Sequence, residues 1–271
     1  MSATKPDLPY FDLLFAHPEE AAARVFESSV HWGYWDDPST ATLDAAGFRA
    51  AMARLDDQVL DAARLSDGQT VLDAGCGFGG TLAAVQKRRS AMSLTGLNID
   101  PRQLERARAA VPGARFVEGD ACALPFPDAS FDRVLAVECI FHFPSRARFL
   151  VEAARVLKPG GLLSLSDFVP EEPGARGGFL GRLVEAKIVE GYGAGGGGWE
   201  GGDYAAMAAK AGLEVVLDRD VTKNTLPTYP VLLDLLRARP PAARMVWPTR
   251  LLWWASRLGK VRYRVVAFRK P

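Results

Sequence analysis

An acidic residue just ahead of a glycine cluster is the first place where this chain writes chemistry into its spacing. Asp73 precedes Gly75, Gly77 and Gly80, which form a GxGxxG turn between a strand-like run, QTVLDA, and a helical stretch at 81–89. Glycines permit torsions and close approaches that a Cβ forbids, and the helix behind them offers N–H groups to an anion. A dinucleotide pyrophosphate is one such anion, and Asp100 lies near the spacing of a ribose-binding acid. Asp73 argues against it, because a carboxylate at the mouth of the turn repels a pyrophosphate and attracts an ammonium group. Further on, His142 in ECIFHFP and Asp167 in SLSDF supply an imidazole and a carboxylate, the groups that move protons near neutral pH.

Elements in strict alternation must position these residues. Strands are expected at 69–74, 93–99, 114–118, 131–137 and 162–169, with helices at 81–89, 101–110 and 145–157 and a KPGG turn at 158–161. Apolar strands alternating with helices predict a doubly wound α/β fold, a mostly parallel sheet covered on both faces. Such sheets bind ligands at the carboxyl ends of their strands, which is where Asp73, His142 and Asp167 fall. Behind this core come a glycine-rich run at 191–202, read as a linker or a flap, then a helix at 204–211, a strand at 214–222, an irregular helical stretch to Gly259 and a strand at 261–269. The expected organisation is a helical N-terminal cap at 1–66, a ligand-binding core at 67–170, and lid insertions with closing strands at 171–271.

A ligand that joins an amino acid to a nucleoside satisfies both Asp73 and the helix end, and S-adenosylmethionine is that ligand. VLDAGCGFGGT (71–81), GLNID (96–100), FVEGDACALPFPDASFD (116–132) and ARVLKPGGLLSLSDF (154–168) resemble, in order, the motifs of the class I S-adenosylmethionine-dependent methyltransferases. The similarity runs from His31 to the closing AFRKP and is nearest to the small-molecule branch of rebeccamycin-type sugar O-methyltransferases. The resemblance implies a seven-stranded Rossmann-like sheet with helical lid insertions. It implies that Gly75 and Gly77 hold the methionine moiety near Asp73, that Asn98 and Ile99 meet the ribose, and that Asp120 and Ala121 meet the adenine. Asn98 stands where many members have an acid, so it binds ribose without charge assistance unless Asp100 shares the task. Glu138 is expected at the methionine end, with Tyr34 and Trp35 of SVHWGYW as lid residues over the cofactor. His142 is expected as general base, with Asp167 as its orienting partner or an alternative base.

Composition narrows the classes further. With 33 Lys and Arg against 32 Asp and Glu the net charge is +1, yet all ten basic residues from Arg237 onward stand without a single acid among them. The remaining 236 residues therefore hold 23 basic and 32 acidic side chains, an acidic body with a basic tail. On a helix, Arg250 and Arg257 fall on one side beside Trp253 and Trp254. That segment is read as a lid, a contact with an anionic membrane, or a grip on an anionic acceptor. Nucleic acid is not an expected partner. Three cysteines without a CxxC pair and three scattered histidines give no disulfide framework and no metal site. No run is long and apolar enough for a membrane span, and the N-terminus is unlike a signal peptide, so a cytoplasmic protein is expected. The expected activity is methylation of a hydroxyl on a small, fairly apolar metabolite. The alternatives are carbon methylation of a prenyl diphosphate or quinone, a nicotinamide oxidoreductase, and a silent module that binds S-adenosylmethionine.

Overall fold

Val71 and Leu72 point to opposite faces of strand β1 (Thr70–Ala74), and both are fully buried, the mark of a strand covered on two sides. The same pattern recurs in β4 (Phe131–Val137) and β7 (Val261–Arg269), where Leu135 and Val265 join Val71 in one apolar cluster while Val134, Ala136 and Val266 join Leu72 in the other. The computed structural model describes residues 25–89, 91–171, 186, 192, 203–237 and 245–271. The stretch 1–24 and, apart from Tyr192, the glycine-rich run at 191–202 lie outside the described residues.

Between these strands come β2 (Ser93–Asn98), β3 (Arg115–Glu118), β5 (Leu157–Pro170) and β6 (Glu214–Asp220). The seven strands run in the order β3-β2-β1-β4-β5-β7-β6, with β7 antiparallel to both neighbours. Strand order reverses between β1 and β4, so a crevice opens at their carboxyl ends. Helix α1 (Ala45–Ala63) packs over β4, β5 and β7 on the first face, beside α2 (Gly80–Arg88) and α3 (Pro101–Ala110). Helices α4 (Arg146–Val156) and α5 (Tyr204–Lys210) cover the second face. Caps set these helices: Asp44 accepts from the Gly47 N–H, Asp100 from Arg102 and Ser145 from Arg148.

Two boundaries differ from the sequence reading by more than one residue. Strand β5 begins at Leu157, inside the expected helix and ahead of the expected turn, because Leu157 pairs with Phe131 before a register shift that resumes at Arg133 and Leu162. The strand expected to reach Thr222 ends at Asp220, whose Oδ1 accepts the Thr222 N–H at 2.9 Å and turns the chain into α6 (Thr222–Thr225). The irregular stretch that follows holds α7 (Thr228–Arg237) and α8 (Val246–Arg257).

Candidate active site

The glycine turn leaves β1 in a conformation that only glycine adopts comfortably. Gly75, Gly77 and Gly79 have φ of 83°, 52° and 87°. A Cβ on Gly75 would lie 2.7 Å from Cys139 Sγ, whereas one on Gly77 would meet only Gln103 Oε1, at 3.9 Å. Gly75 is therefore required by packing and handedness, while Gly77 borders open space. Gly80 serves the chain itself: a Cβ there would lie 2.4 Å from the Ser28 carbonyl oxygen, so the segment leading to His31 crosses directly over the start of α2.

That segment brings a buried charge cluster beneath the turn. Asp73 is 1% exposed, and its Oδ2 is buried without a hydrogen-bond partner. His31 Nε2 lies 3.4 Å from Asp56 Oδ2 on α1, and Asp56 Oδ1 accepts the Thr81 hydroxyl at 2.9 Å. Glu138, with φ of 49°, accepts the Trp32 N–H at 2.8 Å and the Tyr263 hydroxyl at 2.5 Å on Oε2. Burial, then the Asp56 carboxylate, push the Asp73 pKa up to about 8 against the pull of His31. Burial alone would lower His31, but Asp56 and Glu138 outweigh it and raise its pKa to about 9. Burial likewise lifts Glu138 to about 7, despite His31 and its two hydrogen bonds. An orphaned carboxylate oxygen beside an open glycine turn fits an ammonium group of a bound ligand. Asp73, Gly75 and Gly77 would hold the methionine end of S-adenosylmethionine there.

At the ends of β2 and β3 the expected contacts are organised among themselves. The Asn98 amide donates to Gln103 Oε1 at 2.7 Å, and its Oδ1 accepts the Ile99 N–H at 2.8 Å. Asp100 caps α3 and pairs with Arg102 at 2.8 Å. Asp120 Oδ1 accepts the Cys122 N–H at 2.8 Å, which orders the turn that carries the buried Ala121.

His142 closes the 3-10 turn Ile140–His142 that follows β4. Its ring tilts over Phe141, with centroids 4.2 Å apart, and Phe141 meets Phe168 edge-on. Phe168 leads to Trp32, Trp32 to Tyr229, and Tyr229 stacks on Trp253 of α8. An aromatic layer thus lies on the His142 side of the crevice. Burial, reinforced by the Arg146 guanidinium, holds the His142 pKa down to about 3, so its imidazole is neutral at physiological pH.

Two expected roles change. Asp167 is fully buried and its carboxylate goes to other partners: Oδ2 accepts from Arg146 Nε at 2.8 Å and from the Tyr204 hydroxyl at 2.6 Å, and Oδ1 accepts from Arg146 Nη2 at 3.3 Å. None of its described hydrogen bonds reaches His142. Strand periodicity is the cause, because Asp167 shares the face of Leu163 and Leu165, toward α4 and α5, while Phe168 takes the face of the aromatic layer. Trp35 is not a lid residue: it is 3% exposed and stacks on Phe48 of α1 with rings 8° from parallel. Tyr34 is half-buried against the same cluster, its backbone tied to Ala51 and Arg54. Trp32 and His31, in the same SVHWGYW run, are the residues that reach the crevice. The available signal was Asp56, an acid on the apolar stripe of α1 between Met52, Leu55 and Val59, which calls for a buried cationic partner.

Sheet order, crevice and orphaned Asp73 together define a doubly wound α/β protein whose crevice suits a ligand with an ammonium end. Residues 72–165 match the family model described as a methyltransferase domain. The chain is 35% identical over 240 residues to methyltransferase GfsG of Streptomyces halstedii, covering 85% of this chain and 79% of that protein. It is 36% identical over 215 residues to the 27-O-demethylrifamycin SV methyltransferase of Amycolatopsis mediterranei, covering 76% and 74%. The solved geranyl diphosphate C-methyltransferase of Streptomyces coelicolor A3(2), in complex with Mg2+, geranyl diphosphate and S-adenosyl-L-homocysteine, shares the fold with a TM-score of 0.75 at 17% identity, covering 98% of this chain and all of that one. The chain belongs to the S-adenosylmethionine-dependent small-molecule methyltransferases. The nicotinamide reading of the glycine turn is thereby set aside.

Proposed function

We propose that this enzyme methylates a hydroxyl of a small, fairly apolar metabolite, as the resemblance to the rebeccamycin-type sugar O-methyltransferases implies, with His142 taking the proton. The observation that carries this reading is the His142 imidazole at the end of β4, next to an aromatic layer suited to an apolar acceptor. The name of the Amycolatopsis relative, an O-methyl-forming enzyme, supports it. S-adenosylmethionine supplies an electrophilic methyl on a sulfonium. Asp73, Gly75 and Gly77 hold its amino-acid end, Asn98, Ile99, Asp120 and Ala121 border its nucleoside, and Glu138 keeps the Trp32 backbone and Tyr263 in place beside it.

Chemistry then depends on alignment, an effect worth up to about 7–11 kcal/mol for reactants held in line. As the oxygen–carbon bond forms and the sulfur–carbon bond breaks, the hydroxyl proton becomes strongly acidic and passes to the His142 imidazole. A base of low pKa suffices for a proton that leaves late. In His142→Ala, kcat on a hydroxyl acceptor should fall by roughly 10²- to 10⁴-fold with unchanged affinity for S-adenosylmethionine. Full activity in that variant removes His142 as the base.

A second reading, carbon methylation of an isoprenoid, draws on the architecture shared with the geranyl diphosphate enzyme. Incubation with alcohols, phenols and sugar-bearing macrolides against prenyl diphosphates, followed by mass spectrometry of the products, separates the two. Methylated prenyl diphosphate in place of a methyl ether selects the second.

A further inference from the structure

Helix α8 carries apolar residues on two opposite faces. Its inner face, with Pro248, Thr249, Leu252 and Ser256 buried, closes over the aromatic layer: Ser256 Oγ lies 2.8 Å from the Tyr229 hydroxyl and Thr249 Oγ1 lies 2.7 Å from that of Tyr192. Its outer face is different. At about 100° per residue, Trp254 and the capping residue Leu258 fall within about 20° of Trp247. These three side chains are 59%, 58% and 70% exposed for Trp247, Trp254 and Leu258, and they are half of the six exposed large hydrophobic residues among those described. Leu251 flanks the stripe, and Arg250 and Arg257 line its other edge.

Charge tells what such a face suits. Most of the basic residues that follow α8 are engaged in the sheet: Arg262 pairs with Glu171 and Asp220, Arg264 with Asp218 and Arg269 with Glu214. Among the described residues no carboxylate pairs with Arg250 or Arg257, and α8 itself contains no acidic residue. Arg257 instead lies over the Trp253 and Trp254 rings, at 5.7 and 5.9 Å. A second copy of this chain would offer the same stripe and the same arginines, with no acid on the helix to receive them. A surface that is apolar below and anionic above matches both parts, because tryptophan rings settle at the headgroup level and arginines meet phosphates.

We propose that α8 seats the enzyme on an anionic lipid surface, with Trp247, Trp254 and Leu258 entering the interface and Arg250 and Arg257 meeting lipid phosphates. The aromatic layer beside His142 then lies one helix diameter, about 10 Å, from the bilayer, within reach of an acceptor dissolved in it. The proposal holds whichever atom of the acceptor is methylated.

Co-sedimentation of the full chain with vesicles tests it, using equimolar phosphatidylcholine and phosphatidylglycerol against phosphatidylcholine alone. The expected result is partitioning roughly tenfold or more stronger onto the anionic vesicles, weakened by salt, with a blue shift of tryptophan emission. Arg250→Gln and Arg257→Gln should each weaken it roughly fivefold. Trp247→Ser with Trp254→Ser should abolish it while calorimetric affinity for S-adenosylmethionine, the sign of an intact fold, stays unchanged. Equal or absent partitioning, or undiminished binding by the folded double variant, overturns the proposal. So does a dimer by light scattering that the double variant dissolves, which would assign the face to a second copy.

Discussion

Asp73 and His31 share one proton economy beneath the glycine turn. With its pKa near 8, Asp73 is largely protonated at pH 7 before a ligand arrives, and an ammonium placed against it favours the carboxylate. Cofactor binding should therefore release a proton. Titration calorimetry in buffers of different ionisation enthalpy should give different heats, and affinity should strengthen as pH rises from about 6.5 toward 8. Asp73→Asn should remove that pH slope and weaken binding roughly ten- to hundredfold. A slope that survives in Asp73→Asn would locate the proton elsewhere. Stability of the ligand-free enzyme follows with its own sign. Asp73 and His31 both have folded pKa values above their unfolded ones, so the stability they contribute is whole below the unfolded values and is lost as pH rises through about 8 and about 9. Saturating cofactor should flatten the Asp73 part of that decline in a thermal melt.

At the scale of elements, the turn after β1 and the far end of β5 make opposite demands. Gly75 combines a positive φ with a Cβ direction blocked by Cys139 on the loop after β4. Gly75→Ala should cost more than about 1 kcal/mol of stability in the ligand-free chain and, by prising β1 from that loop, weaken S-adenosylmethionine binding as well. Binding equal to the parent would show that the loop yields freely. The Arg146–Asp167–Tyr204 cluster joins β5 to α4 and α5 with both charges buried. Arg146→Ala strands a carboxylate and should lose about 3–5 kcal/mol in denaturant unfolding. Tyr204→Phe, which leaves the ion pair intact, should cost about 1–3 kcal/mol and leave kcat unchanged. A large loss of kcat in Tyr204→Phe with little loss of stability would return Asp167 to the chemistry.

Across the whole molecule, the legible part and the hidden part divide along physical lines. The strands from β1 to β4, the helices between them and the closing strand were readable because each is announced within a few residues by apolar runs, caps, glycines and prolines. Asp73 was readable too, because it stands two positions before Gly75 and so at the mouth of the same turn. Trp35 and Asp167 were misplaced for another reason. A strand residue's face, or an aromatic's side in a short run, is decided by which elements pack there. Phe48 and Arg146, the residues that claim Trp35 and Asp167, lie 13 and 21 positions away. The basic tail shows the same division: its charge is plain in composition, yet only strand pairing reveals that Arg262, Arg264 and Arg269 answer acids on or next to β6 and at the end of β5, while Arg250 and Arg257 face outward beside exposed tryptophans.

Alternation of strands and helices, the glycine turn and the acid before it are local properties, and the order of residues was enough to declare a sheet enzyme that binds S-adenosylmethionine. The burial of His31 against Asp56, the diversion of Asp167 to Arg146 and the outward stripe on α8 join groups remote in the chain. Only packing decides which of them meet, because burial and low dielectric, which set the charge and partners of each group, do not exist until the chain has folded.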